Sequence, residues 1–165
     1  MHDFSDTRHQ WDLFREYSKG KRVCEIGVHF GGSTRTFLRA PCASLISIEL
    51  APVAGIEDEL RKIAEDAKVK WKFVVGNSLK VGPFLCEVLF LDSLHTKSQL
   101  LAELRRYGPL TSERILVHDT VFWGTSGEDK GPGLVEAVGE FVGRKVWEVE
   151  AVHEVFPGLT VLRRR

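Results

Sequence analysis

Net charge is absent from this sequence, because 23 lysine and arginine residues balance 23 aspartate and glutamate residues. A balanced chain has no global attraction for nucleic acid or for an anionic membrane. The arginines at 163–165 are locally basic, but so short a run at a terminus is typical of a solvated tail. The composition therefore predicts neither a nucleic-acid partner nor a membrane partner.

Cysteine is scarce, and long apolar runs are missing. The three cysteines, Cys24, Cys42 and Cys86, are odd in number and lie in or beside apolar segments, which indicates buried reduced thiols rather than disulfides. The sequence has no apolar run of bilayer length and no recognisable signal peptide. We expect a cytoplasmic protein.

The chain has enough apolar residues to bury a core of its own. Its 165 residues are 43% hydrophobic and 28% charged, as in ordinary globular proteins. We predict a single domain over residues 1–165, with an N-terminal helix within 1–20 and a core at 22–163.

Short apolar runs alternate with segments of helical periodicity through the first two thirds of the chain. The predicted strands are 22–26, 45–50, 69–75, 87–92 and 114–119. The predicted helices are the segment from Asp6 to about residue 18, capped by Ser5, Asp6 or Thr7, and then 33–39, 55–67 and 98–107. This alternation predicts an α/β fold with a Rossmann-like, mostly parallel sheet and helices on both faces.

The last third breaks the alternation. A glycine-rich loop at 121–132 precedes a short helix at 134–142. Two further strands, 146–156 and 159–162, are joined at Pro157-Gly158. They predict a C-terminal antiparallel hairpin at the edge of the sheet.

The first predicted strand ends in a glycine turn that continues into a helix. Gly27, Gly31 and Gly32 form this turn, and the helix begins near Ser33. The free N–H groups and the positive dipole end of such a helix attract an anionic or carboxylate-bearing ligand. His29 replaces the middle glycine of the dinucleotide fingerprint, which disfavours a pyrophosphate and favours a nucleoside with an amino-acid tail.

Acidic residues lie at or near the ends of four predicted strands, namely Glu25, Glu49, Asp92 and Asp119. In an open α/β sheet these ends face the ligand. Four acids at one edge would repel one another, so we expect some of them to bind ribose hydroxyls, an amine or a metal. Glu49 ends the second strand, where a carboxylate accepts both hydroxyls of a ribose.

Two sequence motifs resemble those of known methyltransferases. Glu25-Ile26-Gly27-x-x-x-Gly31-Gly32-Ser33-Thr34 resembles the first motif of class I S-adenosylmethionine (SAM)-dependent methyltransferases. Residues 89–96, 102–110 and Val117-His118-Asp119-Thr120 resemble the metal-dependent O-methyltransferases grouped with cephalosporin hydroxylase and with rhamnosyl or macrolide-sugar O-methyltransferases. The resemblance covers residues 22–163.

The resemblance implies SAM as the cofactor and a small-molecule hydroxyl as the methyl acceptor. It also implies a set of cofactor-binding positions: Glu25, Gly27, His29, Gly31, Gly32, Ser33, Thr34, Glu49, Asn77, Ser78 and Asp92. An ordinary turn explains Asn77 and Ser78 nearly as well as an adenine contact does.

The resemblance further implies that Asp92 and Asp119 bind Mg²⁺ and that His95 is the general base. His118 and Thr120 flank Asp119 where relatives often have an acid or Asn, and His118 is interpreted as a packing residue. Phe122 and Trp123 follow on the loop and are candidate walls of the acceptor pocket, with core packing as the equal alternative.

Two other functions stay open at this level. One is a SAM- or nucleoside-binding module without turnover, and the other is an NAD-dependent oxidoreductase. Relatives have longer N-terminal extensions that build the acceptor pocket and often the oligomer, so a homo-oligomer with a shared pocket is also open.

Overall fold

The computed structural model describes residues 7–165. Its helices are α1 (Thr7–Ser18), α2 (Gly32–Arg39), α3 (Ile56–Asp66), α4 (Lys97–Tyr107) and α5 (Leu134–Val142). Its strands are β1 (Arg22–Ile26), β2 (Ser44–Glu49), β3 (Lys70–Val75), β4 (Cys86–Leu91), β5 (Thr111–His118), β6 (Trp147–His153) and β7 (Leu159–Arg164). The predicted caps Ser5 and Asp6 lie outside the described residues.

All seven strands belong to one sheet, in the order β3-β2-β1-β4-β5-β7-β6. β1 to β5 are parallel, whereas β7 is antiparallel to both β5 and β6. The predicted Rossmann-like sheet with a C-terminal antiparallel hairpin is therefore confirmed. The strand order reverses between β1 and β4, where sheets of this kind bind ligands beyond the carboxyl ends of their strands.

The core lies on both faces of the sheet because successive strand residues point to opposite faces. On β4, Val88 and Phe90 pack into the cluster under α1, α2 and α3. Leu89 and Leu91 pack into the cluster under α4 and α5. A continuously apolar strand is stable here because helices cover both faces.

The hairpin differs most from its prediction at the end of its first strand. The first strand ends at His153 rather than at residue 156. The next residues bind other segments through their carbonyl groups: Val155 O accepts from Gln10 Nε2 at 2.9 Å, and Pro157 O accepts from the N–H groups of Val121 and Phe122 at 3.1 and 3.0 Å. A backbone engaged in this way cannot continue the sheet ladder.

The cysteine prediction is confirmed, since Cys24, Cys42 and Cys86 are buried and free. None of the helices between residues 7 and 165 has the length and apolar character needed to cross a membrane.

Candidate functional site

The glycine turn after β1 lies against the end of β4. Gly27 has φ +92°, and a Cβ atom at this position would be 1.8 Å from the carbonyl oxygen of Asp92. The Asp92 N–H in turn donates to Ile26 O at 2.9 Å. Only a glycine fits such a close approach of two backbones in this conformation.

Glu49 at the end of β2 holds the same turn. One carboxylate oxygen accepts from the N–H groups of Val28 and His29, both at 2.8 Å, and the other accepts from Ala51 N at 3.0 Å. Burial raises the pKa of Glu49, but these backbone hydrogen bonds outweigh it and bring the pKa below its usual value. The N–H groups of Val28 and His29 in the turn are thus bound to an internal carboxylate that itself faces solvent in part.

Three predicted cofactor residues, Glu25, Ser33 and Thr34, have side chains that the structure does not bring to the ligand cleft. The Glu25 carboxylate is fully buried and accepts from the hydroxyl groups of Ser33, Ser47 and Thr34 at 2.5, 2.6 and 2.8 Å. Because strand side chains alternate, Glu25 points to the α2 face, where it joins α2 to β1 and β2. Gly31 and Gly32 also lie outside the cleft, against Leu60 and Trp11.

Glu25 gives a pH-dependent prediction. Burial raises its pKa to about 7, although the hydroxyl hydrogen bonds partly offset this effect. The folded protein then holds a proton that the unfolded chain releases near pH 4.5, so stability falls as the pH rises from 4.5 to about 7. In Glu25→Gln this fall, up to about 3 kcal/mol, should disappear. Urea unfolding of both proteins at pH 5 and pH 8 measures it, and equal pH dependence in the two would contradict it.

Two aspartates and two histidines meet where β4 and β5 end. His95 Nε2 is 3.1 Å from Asp92 Oδ1 and 3.1 Å from Asp119 Oδ2. His118 Nδ1 is 3.0 Å from Asp119 Oδ1 and 3.4 Å from Asp92 Oδ2. Asp119 has the left-handed φ of 60°, a conformation that aspartate tolerates better than most residues. β4 and β5 are neighbours, so the two strand-end acids come together as the sequence predicts.

The cluster strongly perturbs the pKa values of its members. Burial lowers the pKa of His95, but Asp119, Asp92 and Glu128 outweigh it and raise the pKa to about 10. Burial also lowers the pKa of His118, but Asp119 and Asp92 outweigh it and raise the pKa to about 9. The pKa values of both aspartates are lowered, because the histidines outweigh the effect of burial. Because three carboxylates lie at its ring nitrogens, His95 is a cation at neutral pH.

Three of these residues have the donor set of a metal site. The ligand atoms of Asp92, His118 and Asp119 all lie within 4.8 Å of one another. His118 Nδ1 is buried and has no hydrogen-bond partner among residues 7–165. Two carboxylates and an imidazole nitrogen aimed at one point fit a divalent cation.

Two residues that hold the histidines are missing from the sequence prediction. Glu128, in the glycine-rich loop, accepts from His95 Nδ1 at 2.5 Å, and its own N–H donates to His95 O at 3.0 Å. Gln10, on α1, accepts through Oε1 from His118 Nε2 at 2.9 Å. Neither residue has a periodicity or motif that signals these contacts.

Asn77 and Ser78 lie beside the cleft, but their side chains already have partners. Asn77 Oδ1 accepts from Leu79 N at 2.8 Å, as in an ordinary turn. Ser78 Oγ donates to the buried carboxylate of Glu103 at 2.6 Å. Ser93 and Gln99 also donate to Glu103, so a buried carboxylate fixes this wall of the cleft.

The aromatic pair after Asp119 lies next to the cluster and outside the cleft lining. The Trp123 ring is stacked on His95, with centroids 6.0 Å apart and an interplanar angle of 15°. Phe122 is 53% exposed and contacts Phe156 edge-on. Trp123 thus packs against His95, whereas Phe122 lies at the surface.

One cleft of about 630 Å³ joins these parts at the carboxyl ends of the strands. The predicted residues that line it are Gly27, His29, Glu49, Asn77, Ser78, Asp92, His95 and Asp119. The unpredicted ones are Ile26, Ile48, Leu50, Gly76, Ser93, Leu94, Gln99 and Glu128.

Comparison with known proteins identifies the fold. No described protein family and no curated protein matches the sequence. The structure is similar to an O-methyltransferase from Bacillus cereus in complex with S-adenosylhomocysteine (SAH). The two chains are 17% identical, with a TM-score of 0.70 over 99% of this chain and 83% of that one. It is also similar to the O-methyltransferase TomG from Streptomyces achromogenes, involved in tomaymycin synthesis and solved with SAM, at 18% identity and a TM-score of 0.70, over 99% and 91%.

Enzymes with other acceptors share this fold. The N-methyltransferase NodS from Bradyrhizobium japonicum matches at 13% identity and a TM-score of 0.69, over 99% of both chains. Some similar proteins are longer, and the chain spans 59% of the pyocyanin biosynthetic protein PhzM. The chain therefore has the fold of class I SAM-dependent methyltransferases, as its motifs predict, while the fold by itself does not select the acceptor atom.

Proposed function

We propose that this protein transfers a methyl group from SAM to a hydroxyl oxygen of a small molecule. The observation that carries the proposal is the single cleft that joins Glu49 and the glycine turn to the cluster of Asp92, His95 and Asp119. A nucleoside bound at the first part would present its reactive end to the second.

The proposed cofactor contacts follow from the cleft. The exposed part of the Glu49 carboxylate accepts the two ribose hydroxyls. Ile48 and Leu50 offer apolar surface to the purine, and Leu50 is 68% exposed. The turn at Gly27 and His29, together with Asp92, receives the amino-acid tail, whose ammonium group suits an aspartate.

The proposed chemistry needs little beyond alignment and the removal of one proton, because a sulfonium is already an activated methyl donor. His95 takes the hydroxyl proton at Nε2, while Glu128 holds Nδ1 and stabilises the resulting imidazolium. Asp92 and Asp119 would hold a divalent cation, with Mg²⁺ as the expectation from the sequence resemblance. When bound, such a cation lowers the pKa of the acceptor hydroxyl and offsets the carboxylate charge that otherwise keeps His95 protonated.

Cofactor binding is the first test. Isothermal titration calorimetry of the purified protein with SAM, S-adenosylhomocysteine and NAD should give binding of both SAM compounds and none of NAD. A matched variant, Glu49→Gln, should bind both SAM compounds less tightly, because a neutral amide accepts hydrogen bonds from the ribose hydroxyls less well than a carboxylate does. Binding of NAD alone would overturn the proposal in favour of an oxidoreductase.

Turnover and acceptor class are the second test. With methyl-labelled SAM, a panel of vicinal diols, phenols and amines of matched size should give label transfer to the hydroxyl compounds. Cofactor binding without transfer to any acceptor would favour the binding module, and transfer to amines alone would make the protein an N-methyltransferase.

A further inference from the structure

We propose that His118 is a third protein ligand of the cation at Asp92 and Asp119, and that this site prefers a first-row transition-metal ion such as Mn²⁺ or Co²⁺ to Mg²⁺. The inference rests on the proposed function only in so far as that function places a cation at the two aspartates. It replaces the interpretation of His118 as a packing residue and the expectation of Mg²⁺.

The first observation is a buried nitrogen that makes no hydrogen bond within the part of the chain that the structure describes. His118 Nδ1 is buried, lies 3.0 Å from Asp119 Oδ1 and 3.4 Å from Asp92 Oδ2, and yet makes no hydrogen bond among residues 7–165. The three ligand atoms lie within 4.8 Å of one another. Ligand atoms that are each about 2.2 Å from one ion are separated by at most about 4.4 Å, so a small contraction closes the site.

The second observation is the hydrogen bond on the far side of the ring. Gln10 Nε2 donates to Val155 O at 2.9 Å, so the amide oxygen of Gln10 faces His118. That oxygen accepts from His118 Nε2 at 2.9 Å, which requires the proton to be on Nε2. In the neutral ring Nδ1 then carries the lone pair and points at the aspartates. Histidines that bind metals usually have the outer ring nitrogen held in this way.

The ring is also fixed in orientation by its neighbours. It packs against Phe14 and Phe90, with centroid distances of 5.7 and 5.9 Å. Both rings belong to the buried cluster under α1 and α2. A rigid imidazole loses little conformational entropy when it binds a metal.

The donor set decides the kind of ion. Mg²⁺ prefers oxygen ligands and retains several waters, so an imidazole nitrogen adds little to its binding. Mn²⁺ and Co²⁺ accept nitrogen as well as carboxylate oxygen, and Co²⁺ is favoured over Mn²⁺ at a given site. Two carboxylates and one imidazole therefore select against Mg²⁺.

The test measures metal binding directly. After removal of metals with a chelator, the full chain is titrated calorimetrically with MnCl₂, CoCl₂ and MgCl₂. We expect Mn²⁺ to bind at least about tenfold more tightly than Mg²⁺ and Co²⁺ more tightly still. Pulsed electron paramagnetic resonance of the Mn²⁺ protein should show coupling to a histidine nitrogen, which changes when the protein carries ¹⁵N-histidine.

Variants identify the nitrogen. His118→Phe keeps an aromatic ring between Phe14 and Phe90, and it should abolish the nitrogen coupling and lower Mn²⁺ affinity at least about tenfold. Gln10→Leu removes the orienting hydrogen bond to His118, together with the Gln10–Val155 hydrogen bond, and leaves the imidazole in place. It should lower the affinity for Mn²⁺ about 10- to 100-fold. His153→Gln is the matched control, because His153 ends β6 two strands beyond His118 and should leave both ions unaffected.

The outcomes separate this inference from the proposed function. Equal affinity for Mg²⁺ and Mn²⁺, absence of nitrogen coupling, or coupling that survives in a folded His118→Phe would overturn the His118 ligand. His118 would then be the counter-cation of the aspartates. SAM titrations on the same samples report on the proposed function independently. If SAM binds and the metal test fails, the proposed function stands and the His118 ligand falls. If the metal test succeeds and SAM does not bind, the metal site stands and the proposed function falls.

Discussion

Replacing His95 by alanine is expected to lower the rate of methyl transfer to a hydroxyl acceptor by about two to four orders of magnitude. In the proposed reaction His95 accepts the proton at Nε2, while the carboxylate of Glu128 holds its other ring nitrogen, Nδ1. The outer ring nitrogen of His118, the other histidine of the cluster, is held by an amide instead. Without the His95 ring, the proton must leave to water. The affinity for SAM should stay nearly constant, because His95 is not itself one of the proposed cofactor contacts and the substitution leaves Glu49, the glycine turn and the Asp92 carboxylate in place.

Single-turnover rates with methyl-labelled SAM, together with calorimetric SAM affinities, measure this separation of catalysis from binding. His153→Ala serves as the control, since it removes an imidazole outside the cleft lining and should leave the rate unchanged. Glu128→Gln should lower the rate less than His95→Ala, because it weakens the orientation of the base and keeps the base itself. A His95→Ala enzyme within tenfold of the wild-type rate would remove His95 from its proposed role.

Gly27→Ala is expected to destabilise the fold by more than about 4 kcal/mol, which is exceptional for one methyl group. The added Cβ would be 1.8 Å from the Asp92 carbonyl oxygen, which belongs to the backbone and cannot rotate away. The φ of +92° adds the strain of a left-handed alanine. Relief requires β1 and β4 to separate at the strand ends that form the cleft, so SAM binding should be lost as well.

Chemical denaturation followed by circular dichroism measures the loss, and Gly55→Ala isolates its cause. Gly55 has a similar φ of +80°, but a Cβ there meets nothing within 4 Å. We expect Gly55→Ala to cost only about 1 to 2 kcal/mol, from backbone strain alone. If Gly27→Ala costs no more than Gly55→Ala, the close approach of β1 to β4 does not have the importance assigned to it here.

Much of the fold follows from local patterns, because burial on one or two faces sets the period of apolar residues. The apolar run at 87–92 predicts a strand covered on both faces, and β4 is such a strand. Asp92 and Asp119 end consecutive parallel strands, and the structure brings them together. Residue type and position along a strand suffice for these predictions.

Other features depend on contacts that no local pattern contains. Glu25 was expected at the ligand edge of the sheet, yet its side chain is buried under α2. The α2 hydroxyl groups that bind this carboxylate reach it only once α2 has packed on that face of the sheet. Glu128 meets His95 across 33 positions of sequence, and Gln10 meets His118 across 108. Such pairs form only after the strand order is set.

The sequence by itself determined the mostly parallel sheet, the glycine turn at Gly27 and the acids at the ends of adjacent strands, since each follows from burial periodicity or backbone sterics. Only the tertiary structure decided what each polar side chain binds. It gave Glu49 the N–H groups of the turn, and it turned Nδ1 of His118 towards Asp92 and Asp119. The physical reason is that a hydrogen-bond or metal-ligand partner is chosen by three-dimensional proximity, which strand order and crossovers create and which spacing along the chain does not record.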